Sequence, residues 1–403
     1  MLKPLRSITF SVLAAFAAAP SIAQALPPGV QSVTSVEGID EYRLPNGLQL
    51  LLVPDESKPT TTVNITYRVG SRHENYGETG MAHLLEHMLF KGTPKNEKVW
   101  DSFQKRGMAA NGSTSFDRTN YFASFSASDD NLQWYLGWLG DAMVNSYVAR
   151  KDLDTEMTVV RNEMESGENN PSRILLQRSM ALMFDWHHYG NSIIGARADV
   201  ENVDIPRLQA FYRTYYQPDN ATLIVSGKFD TARVLAWVAD AFGKIPKPNR
   251  KLPLLYTLDP AQDGPRSVTL RRIGGAPMSY AGYHVPAGGT KDFAAVALLG
   301  VIFGDAPTGR LHKRLTQKQL AADTGSFAWS LADPSVLFAT AQFAPGQDIN
   351  KAQTEMLAAI EAVRSEPITE DELARAKLKW MTSWEESFSN PERVGVVLSE
   401  SEV

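Results

Sequence analysis

The sequence contains no cysteine in 403 residues. This absence excludes disulfide bonds and thiolate metal ligands. It is also compatible with an oxidising compartment, because the chain offers no thiol to oxidise. Histidine is scarce as well, with 7 residues in the whole chain. Two histidines at a helical spacing therefore carry more information here than they would in a histidine-rich protein.

The chain also lacks an excess of basic residues. Lysine and arginine total 40 against 45 acidic residues, which gives a formal net charge of −5. Without residues 1–25, which hold Lys3 and Arg6 and no acidic residue, the balance is 38 against 45, or −7. A mildly acidic protein without a basic block is a poor candidate for nucleic-acid binding.

Long apolar runs are missing after the first 25 residues, so no membrane span is expected there. Residues 1–25 themselves predict a secretory signal peptide. They have a positively charged start, a largely apolar stretch at 8–19 that is too short to span a bilayer comfortably, and the small-x-small cleavage site Ala23-Gln24-Ala25. The predicted location of the mature chain is the periplasm, and an uncleaved membrane anchor is the alternative.

The remaining patterns predict an α+β fold of two similar halves, each an antiparallel sheet packed with helices. The first domain is expected at residues 26–242. Strands are predicted where apolar and polar residues alternate, and helices where apolar residues recur every three or four positions. In this half the predicted strands are 48–53, 62–69, a pair within 107–125, and 221–226, and the predicted helices cover 132–215 and 231–242.

Residues 243–253 form the predicted linker, because they are rich in proline and lysine and poor in apolar residues. The second domain is expected at residues 254–403, and it roughly repeats the element order of the first. Its predicted strands are 267–271, 279–284, 325–330 and 335–342, and its predicted helices are 292–303 and a helix from 349 onward. No residue-level repeat accompanies this similarity.

Residues 80–88 contain two histidines four positions apart, His83 and His87, with Glu86 directly before the second. On a helix these three side chains lie on or beside one face. Both imidazoles can then point a nitrogen at one cation while Glu86 projects next to it. The flanking residues are apolar, and a metal would satisfy polar groups that are otherwise costly to bury. Two neutral imidazoles and a carboxylate that accepts a proton from metal-bound water are typical of a zinc hydrolase.

A third protein ligand is expected, because catalytic zinc usually takes three and leaves one position for water. Residues 153–165 predict a helix from the spacing of their apolar residues. Glu156 and Glu163 are two turns apart on this helix and nearly eclipsed on one face, whereas Glu165 points away. Spacing alone leaves Glu156 and Glu163 equal candidates for the third ligand.

The combination resembles the inverzincin family of zinc metallopeptidases, which includes pitrilysin, insulin-degrading enzyme and the mitochondrial processing peptidase. The shared feature is the inverted order of the zinc motif, H-x-x-E-H. Further similar segments cover most of residues 40–340. They are LPNGL at 44–48, GSRHE at 70–74, FKGT at 90–93, NGST at 111–114, DRTNY at 117–121, YQPDNA at 216–221 and VSG at 225–227.

The resemblance implies peptide-bond hydrolysis with one zinc ion per chain. It implies His83, His87 and Glu163 as the metal ligands. Glu86 would accept a proton from the water and pass it to the leaving amine, and Glu156 would support catalysis without being an essential ligand. The family fold further implies that the two halves form a clamshell.

The resemblance also implies where the substrate lies. Asn111, Gly112 and Thr114 match a substrate-side strand of the family. An extended peptide can add to the edge of such a strand through main-chain hydrogen bonds, which demand little of its sequence. The expected substrates are peptides or unfolded polypeptides. A simple turn at Asn111-Gly112 is the alternative.

The second half departs from the family pattern. Active relatives supply an arginine and a tyrosine to the substrate near a segment that resembles residues 309–322. Here Arg310 and Arg314 are present, but Ala321-Ala322 stand where the tyrosine is expected. Arg310 is expected to cap or salt-bridge a helix instead of contacting substrate. A homologous subunit that supplies the missing groups would complete the site, as in the processing-peptidase heterodimers.

Two other functions compete with that of a peptidase. One is a non-catalytic scaffold subunit of the same family, and the other is a periplasmic protein that binds zinc or peptides without turnover. A scaffold has no need for the complete set of His83, Glu86, His87 and Glu163. A carrier has no need for a base such as Glu86 beside an open metal position.

Overall fold

The computed structural model describes residues 26–401, so the predicted signal peptide lies outside the described residues. The strands are β1 Gln31–Val36, β2 Ile39–Arg43, β3 Gln49–Pro54, β4 Thr60–Tyr67, β5 Ala109–Thr114, β6 Thr119–Ser126, β7 Ala221–Gly227, β8 Met278–Val285, β9 Asp323–Trp329 and β10 Ser335–Gln342. The helices are α1 Met81–Leu89, α2 Val99–Lys105, α3 Asp129–Asn145, α4 Arg150–Glu168, α5 Pro171–Met183, α6 Arg197–Glu201, α7 Ile205–Tyr215, α8 Thr231–Phe242, α9 Phe293–Gly304, α10 Ile349–Glu361, α11 Glu370–Phe388 and α12 Pro391–Ser401. The predicted α+β class is confirmed.

The first half is organised around a seven-stranded sheet, counted over the described residues, in the order β1-β2-β3-β7-β4-β6-β5. Neighbouring strands run antiparallel except for β3 and β7, which run parallel. The two central strands β4 and β7 are buried along almost their whole length, because helices cover both faces of the sheet there. The edge strand β5 pairs with β6 on one side only.

The main hydrophobic core lies between one face of this sheet and helices that include α1, α3, α7 and α8. Strand side chains alternate between the faces, so that Val63, Ile65 and Tyr67 of β4 all point into this core. From α1, Leu85 and Met88 pack against the same core and are fully buried. Each such side chain contributes about 1.5–3 kcal/mol to folding relative to an exposed one. The helix that carries both histidines is therefore anchored firmly to the sheet.

The C-terminal helix α12 covers the opposite face of the same sheet. Val394 and Leu398 pack against Leu51 and Ile224. The side-chain amide of Asn64 on β4 donates to the carbonyl of Gly395 at 3.3 Å. Residues 391–401, which the sequence assigned to the second domain, thus lie on the sheet of the first half.

The second half contains a three-stranded antiparallel sheet in the order β8-β10-β9 within the described residues. Three of its four predicted strands form close to their expected bounds. The fourth, at 267–271, is wrong, because residues 246–277 contain neither helix nor strand. Its alternating pattern has no neighbouring strand to satisfy the backbone N–H and C=O groups, so it stays exposed. The predicted linker 243–253 is the first part of this longer irregular segment.

The two halves meet at a partly buried polar cluster beside β5. The carboxylate of Asp333 accepts from Arg72 Nη1 at 2.5 Å and contacts His187 Nε2 at 3.1 Å. The hydroxyl of Tyr189 donates to Asp117 at 2.7 Å. A small apolar core that includes Phe116, Met180 and Phe338 surrounds this cluster and takes residues from both halves. The interface therefore fixes the end of the β5–β6 hairpin against the second half.

Among residues 26–401, no helix combines the length and the apolar character needed to cross a membrane.

Candidate metal centre

The start of α1 is held by backbone geometry and one buried acid. Gly80 precedes the helix with φ of 93°, a conformation that favours glycine. The carboxylate of Glu74 accepts from the backbone N–H groups of Gly80 and Ala82, both at 2.8 Å. Burial raises the pKa of Glu74 to about 8, although these two hydrogen bonds favour its charged form. The first turn of α1, which precedes His83, is thus tied to the loop before it.

His83, His87 and Glu163 lie together where α1 faces α4. One carboxylate oxygen of Glu163, Oε2, is 3.5 Å from Nε2 of His83 and 3.5 Å from Nε2 of His87. A tetrahedral zinc ion with bonds of about 2.1 Å places its ligand atoms about 3.4 Å apart. The two imidazoles and the carboxylate therefore have both the chemistry and the spacing of a zinc-ligand set, and their candidate ligand atoms lie within 4.8 Å of one another.

The electrostatics of the trio favour a positive charge between the three side chains. The rings of His83 and His87 hold the pKa of the Glu163 carboxyl well below its usual range, although partial burial opposes this shift. Burial opposes a charge on His87 as well, but the carboxylates of Glu163 and Glu156 outweigh it and raise the pKa of His87 to about 9. A divalent cation held by the two Nε2 atoms would take the place of that proton.

The structure separates the two glutamates that spacing alone left equal. Oε1 of Glu156 lies 2.9 Å from Nδ1 of His87, on the opposite side of the ring from Glu163. The other carboxylate oxygen of Glu156 contacts the ammonium group of Lys91. Burial acts to raise the pKa of Glu156, but the hydrogen bonds from His87 and Lys91 outweigh it and lower the pKa. Glu156 is placed to accept Nδ1–H of His87, which leaves Nε2 free to bind a metal.

Glu86 lies beside this trio and is 8% exposed. Burial raises its pKa above the usual value, while the charges of His83 and His87 partly oppose that shift. A carboxyl with a raised pKa is suited to accept a proton and later release it near neutral pH. Glu86 packs tightly against β5, since a Cβ added at Gly112 would stand 2.5 Å from Oε1 of Glu86.

Two clefts border both the strand β5 and the candidate metal centre. A cleft of about 480 Å³ is lined by His83, Glu86, Gly112 and Thr114, among others. A second cleft of about 370 Å³ shares His83, Glu86 and Gly112 and reaches Asn111. Asn111, Gly112 and Thr114 thus lie on a strand, which rules out the simple turn. Within residues 26–401 the outer edge of β5 pairs with no other strand.

The arginines of the second half do not line either cleft. The guanidinium of Arg310 binds both carboxylate oxygens of Glu372 at 2.8 Å and donates to the carbonyls of residues 366 and 367. Arg314 pairs with Glu366 at 2.6 Å. Both side chains are therefore engaged at the start of α11, which agrees with the expectation that Arg310 salt-bridges a helix.

Several residues at the site went unnoticed in the sequence. Trp329 from the second half lines the larger cleft, and its ring lies 5.2 Å from that of Phe116. Lys91 was part of the FKGT segment, but it follows the end of α1 at Leu89, so helical spacing did not indicate its contact with Glu156. No local signal exists for Trp329 either, because it lies more than 150 residues after Glu163 and Arg173 along the chain.

Comparisons with known proteins cover both halves of the chain. Residues 49–197 match the family model described as insulinase, peptidase family M16. Residues 202–379 match the model described as the peptidase M16 inactive domain. The candidate metal centre and all of β5 fall in the first of these two regions.

Individual relatives agree with this assignment. The chain is 33% identical over 376 residues to the zinc protease PqqE of Helicobacter pylori, covering 91% of this chain and 82% of that protein. The crystal structure of a protease from Helicobacter pylori superposes with a TM-score of 0.83 at 28% identity, over 93% of this chain and 89% of that one. The first half of the periplasmic protease PqqL from Escherichia coli has the same fold, with a TM-score of 0.71 at 20% identity over 92% of this chain and 83% of that one.

Proposed function

The chain belongs to peptidase family M16, and from this premise we propose that it is a catalytically active, zinc-dependent endopeptidase of the periplasm. The observation that carries the proposal is the position of Glu163, whose Oε2 is 3.5 Å from the Nε2 atoms of both His83 and His87. The buried carboxyl of Glu86 lies directly beside this group. A scaffold subunit would need neither the trio nor the base.

The residues would divide the work as follows. His83, His87 and Glu163 would hold one Zn²⁺, and Glu156 would orient the ring of His87. When bound, zinc supplies Lewis-acid chemistry that lowers the pKa of a coordinated water to about 7. Glu86 would accept the proton of that water and deliver it to the leaving amine. Its raised pKa favours the second of these transfers.

The substrate would lie along the open edge of β5. An extended peptide can pair with the backbone of Asn111, Gly112 and Thr114 and so present its scissile carbonyl to the space beside Glu86. Main-chain pairing does not depend on side-chain identity, so unfolded polypeptides and short peptides are both suitable.

A homologous subunit is proposed to complete the site. Arg310 and Arg314 are engaged near the start of α11, and among the described residues no arginine of the second half lines either cleft. A partner with an unengaged arginine and tyrosine would supply the groups that stabilise the developing oxyanion. This pairing would be contradicted if the purified chain is fully active and sedimentation velocity shows that it is a monomer.

The catalytic proposal is tested with a quenched fluorogenic peptide and metal analysis of the purified protein. We expect zinc at a ratio of one per chain, and cleavage that chelator abolishes and added Zn²⁺ restores. Glu86→Gln should keep its zinc and lose at least a hundredfold in kcat/KM, because a general base contributes about 10²–10⁴. His83→Ala and Glu163→Gln should instead lower the zinc content.

An active Glu86→Gln protein would refute the assigned base. If Glu86→Gln and the wild type both bind zinc and neither cleaves any peptide, with or without a homologous subunit, the peptidase proposal fails as a whole. Secretion is tested separately by fractionating cells. N-terminal sequencing of the mature protein should show cleavage after Ala25.

A further inference from the structure

The larger cleft carries a cationic side chain that pairs with no other side chain of residues 26–401. Arg173 of α5 lines this cleft together with His83 and Glu86. Its guanidinium makes no hydrogen bond and no ion pair with the described residues. The other arginine on the cleft, Arg197, is paired with Glu165 at 3.4 Å. Arg173 thus presents an exposed guanidinium to the cleft that no carboxylate of the described residues binds directly, although Glu168 lines the same cleft.

The position of Arg173 is also unfavourable for the helix that carries it. It is the third residue of α5, and the first turn of α5 contains no acidic residue. A cation at this end of a helix opposes the macrodipole, whose N-terminus is already positive. The guanidinium lies beside the last turn of α4, since a Cβ added at Gly167 would stand 3.7 Å from Nη1 of Arg173. The negative end of that helix favours a cation there, and both hydrogen-bonding edges of the guanidinium stay available to a ligand.

The rest of the cleft combines an apolar wall with further unpaired polar groups. Phe116, Met180 and Trp329 form part of the wall. Gln177, one turn after Arg173 on α5, also lines the cleft, and its side-chain amide has no hydrogen bond to residues 26–401. A ligand segment that fits this surface needs apolar atoms against the wall and an acceptor near the guanidinium. A carboxylate satisfies the second requirement best, because it can take two parallel hydrogen bonds from arginine.

We propose that Arg173 is a specificity-determining residue, which selects substrates with a carboxylate on one side of the scissile bond. The inference rests on the proposed peptidase function. A peptide paired with β5 passes Gly112 at the candidate metal centre and reaches the larger cleft at Thr114 and Phe116. The carboxylate is either the side chain of aspartate or glutamate within the peptide, or the free C-terminus of a short peptide.

The test uses the full chain with any subunit that its activity requires. Fluorogenic peptides carry Glu, Gln or Lys at each of three positions on either side of the scissile bond, and a second set ends in a free carboxylate or an amide. We expect Glu to exceed Gln about fivefold in kcat/KM on one side only, which corresponds to a part-exposed ion pair. Arg173→Gln should abolish this preference. The matched control is Arg178→Gln, because Arg178 is exposed on the same helix and lines neither cleft.

Binding of the same peptides to the Glu86→Gln variant gives a second readout that does not require turnover. The two peptide sets distinguish an internal acidic residue from a C-terminal carboxylate. Equal binding and cleavage of Glu and Gln peptides would overturn the inference and leave the peptidase proposal intact. A preference for Lys would also overturn it, because it would show that Glu168, the unpaired acid on the same cleft, dominates. If no peptide is cleaved although zinc is bound, the peptidase proposal fails, and the binding data alone decide the role of Arg173.

Discussion

Gly112 of β5 lies directly against the side chain of Glu86, the proposed base. In Gly112→Ala the new Cβ would stand 2.5 Å from Oε1 of Glu86, so Glu86 must move. Misplacement of a catalytic group by about 1 Å can cost a hundredfold in rate. We expect kcat to fall by about that factor while zinc content stays at the wild-type level. Steady-state kinetics and metal analysis of the same preparation measure both.

The matched control for this substitution is Gly137→Ala on α3. A Cβ at Gly137 has open space around it, and alanine favours a helix interior. This variant should keep full activity and be slightly more stable than the wild type. If Gly112→Ala keeps its kcat, the close approach of Gly112 to Glu86 has no catalytic consequence.

Glu156 is a second residue whose role can be isolated. In Glu156→Ala the ring of His87 loses the acceptor at its Nδ1, and outer partners of metal-bound histidines typically affect metal affinity 10–100-fold. We expect Glu156→Ala to weaken zinc binding about tenfold in a chelator competition assay. Glu156→Gln should weaken it less, because the amide oxygen still accepts the Nδ1–H.

The informative result is which of these two variants binds zinc more weakly. Equal losses in Glu156→Ala and Glu156→Gln would show that the negative charge of Glu156, and not its hydrogen bond, supports the metal. No loss in either variant would remove Glu156 from the site. Glu163→Gln provides the reference for loss of a direct ligand.

At the scale of elements, α12 links the C-terminal part of the chain to the first sheet. Leu398 of α12 is 8% exposed and packs against that sheet. We expect Leu398→Ala to lower the free energy of unfolding by about 2 kcal/mol in urea titrations, the low end for a buried leucine. Leu378→Ala on α11 is the matched control, since Leu378 is 68% exposed and should cost less than about 0.5 kcal/mol. Equal effects of the two substitutions would show that α12 does not stabilise the first half.

Prediction of elements from the sequence succeeded where burial followed a clear period. Helix α8 and strand β10 have the predicted bounds; α8 buries one apolar face, and β10 is buried on both faces. Strand β1 was missed because it is exposed at every position and so shows no apolar alternation. The sequence signal that could have revealed the hairpin was the pair Glu37-Gly38. Both residues have positive φ in the turn from β1 into β2. The prediction of a strand at 267–271 was wrong for the opposite reason, since this segment alternates apolar and polar residues but has no neighbouring strand to pair with.

At the scale of the whole molecule, Asp333 contacts Arg72 and His187 of the first half near the end of β5. Asp333→Ala removes the ion pair with Arg72 and the contact with His187. Because the Asp333 side chain is partly exposed, the expected cost is only about 1 kcal/mol. Amide hydrogen exchange should accelerate at residues 116–118 and 329–335, while α8, which packs in the main core, keeps its protection.

The control for this prediction is Asp263→Ala, because Asp263 is exposed in the irregular segment and makes no hydrogen bond to residues 26–401. If exchange at the junction is the same in both variants, Asp333 does not hold the halves together. A raised KM in Asp333→Ala, with kcat preserved, would indicate that the junction positions the wall formed by Phe116 and Trp329. A purely structural loss would lower the amount of folded enzyme without changing KM.

The sequence by itself determined the α+β class, the helix with His83, Glu86 and His87 on one face, and the pair of candidates Glu156 and Glu163. Helix geometry is local, so a spacing of four residues suffices to bring two rings together. Helix spacing left these two glutamates equal, and the family resemblance implied Glu163. The tertiary structure places Glu163 against the Nε2 atoms and Glu156 against Nδ1 of His87, because the crossing of α1 and α4 distinguishes the two. It alone brought Arg173, Trp329 and β5 to one cleft, since contacts between residues far apart in the chain depend on packing and leave no periodic trace in the sequence.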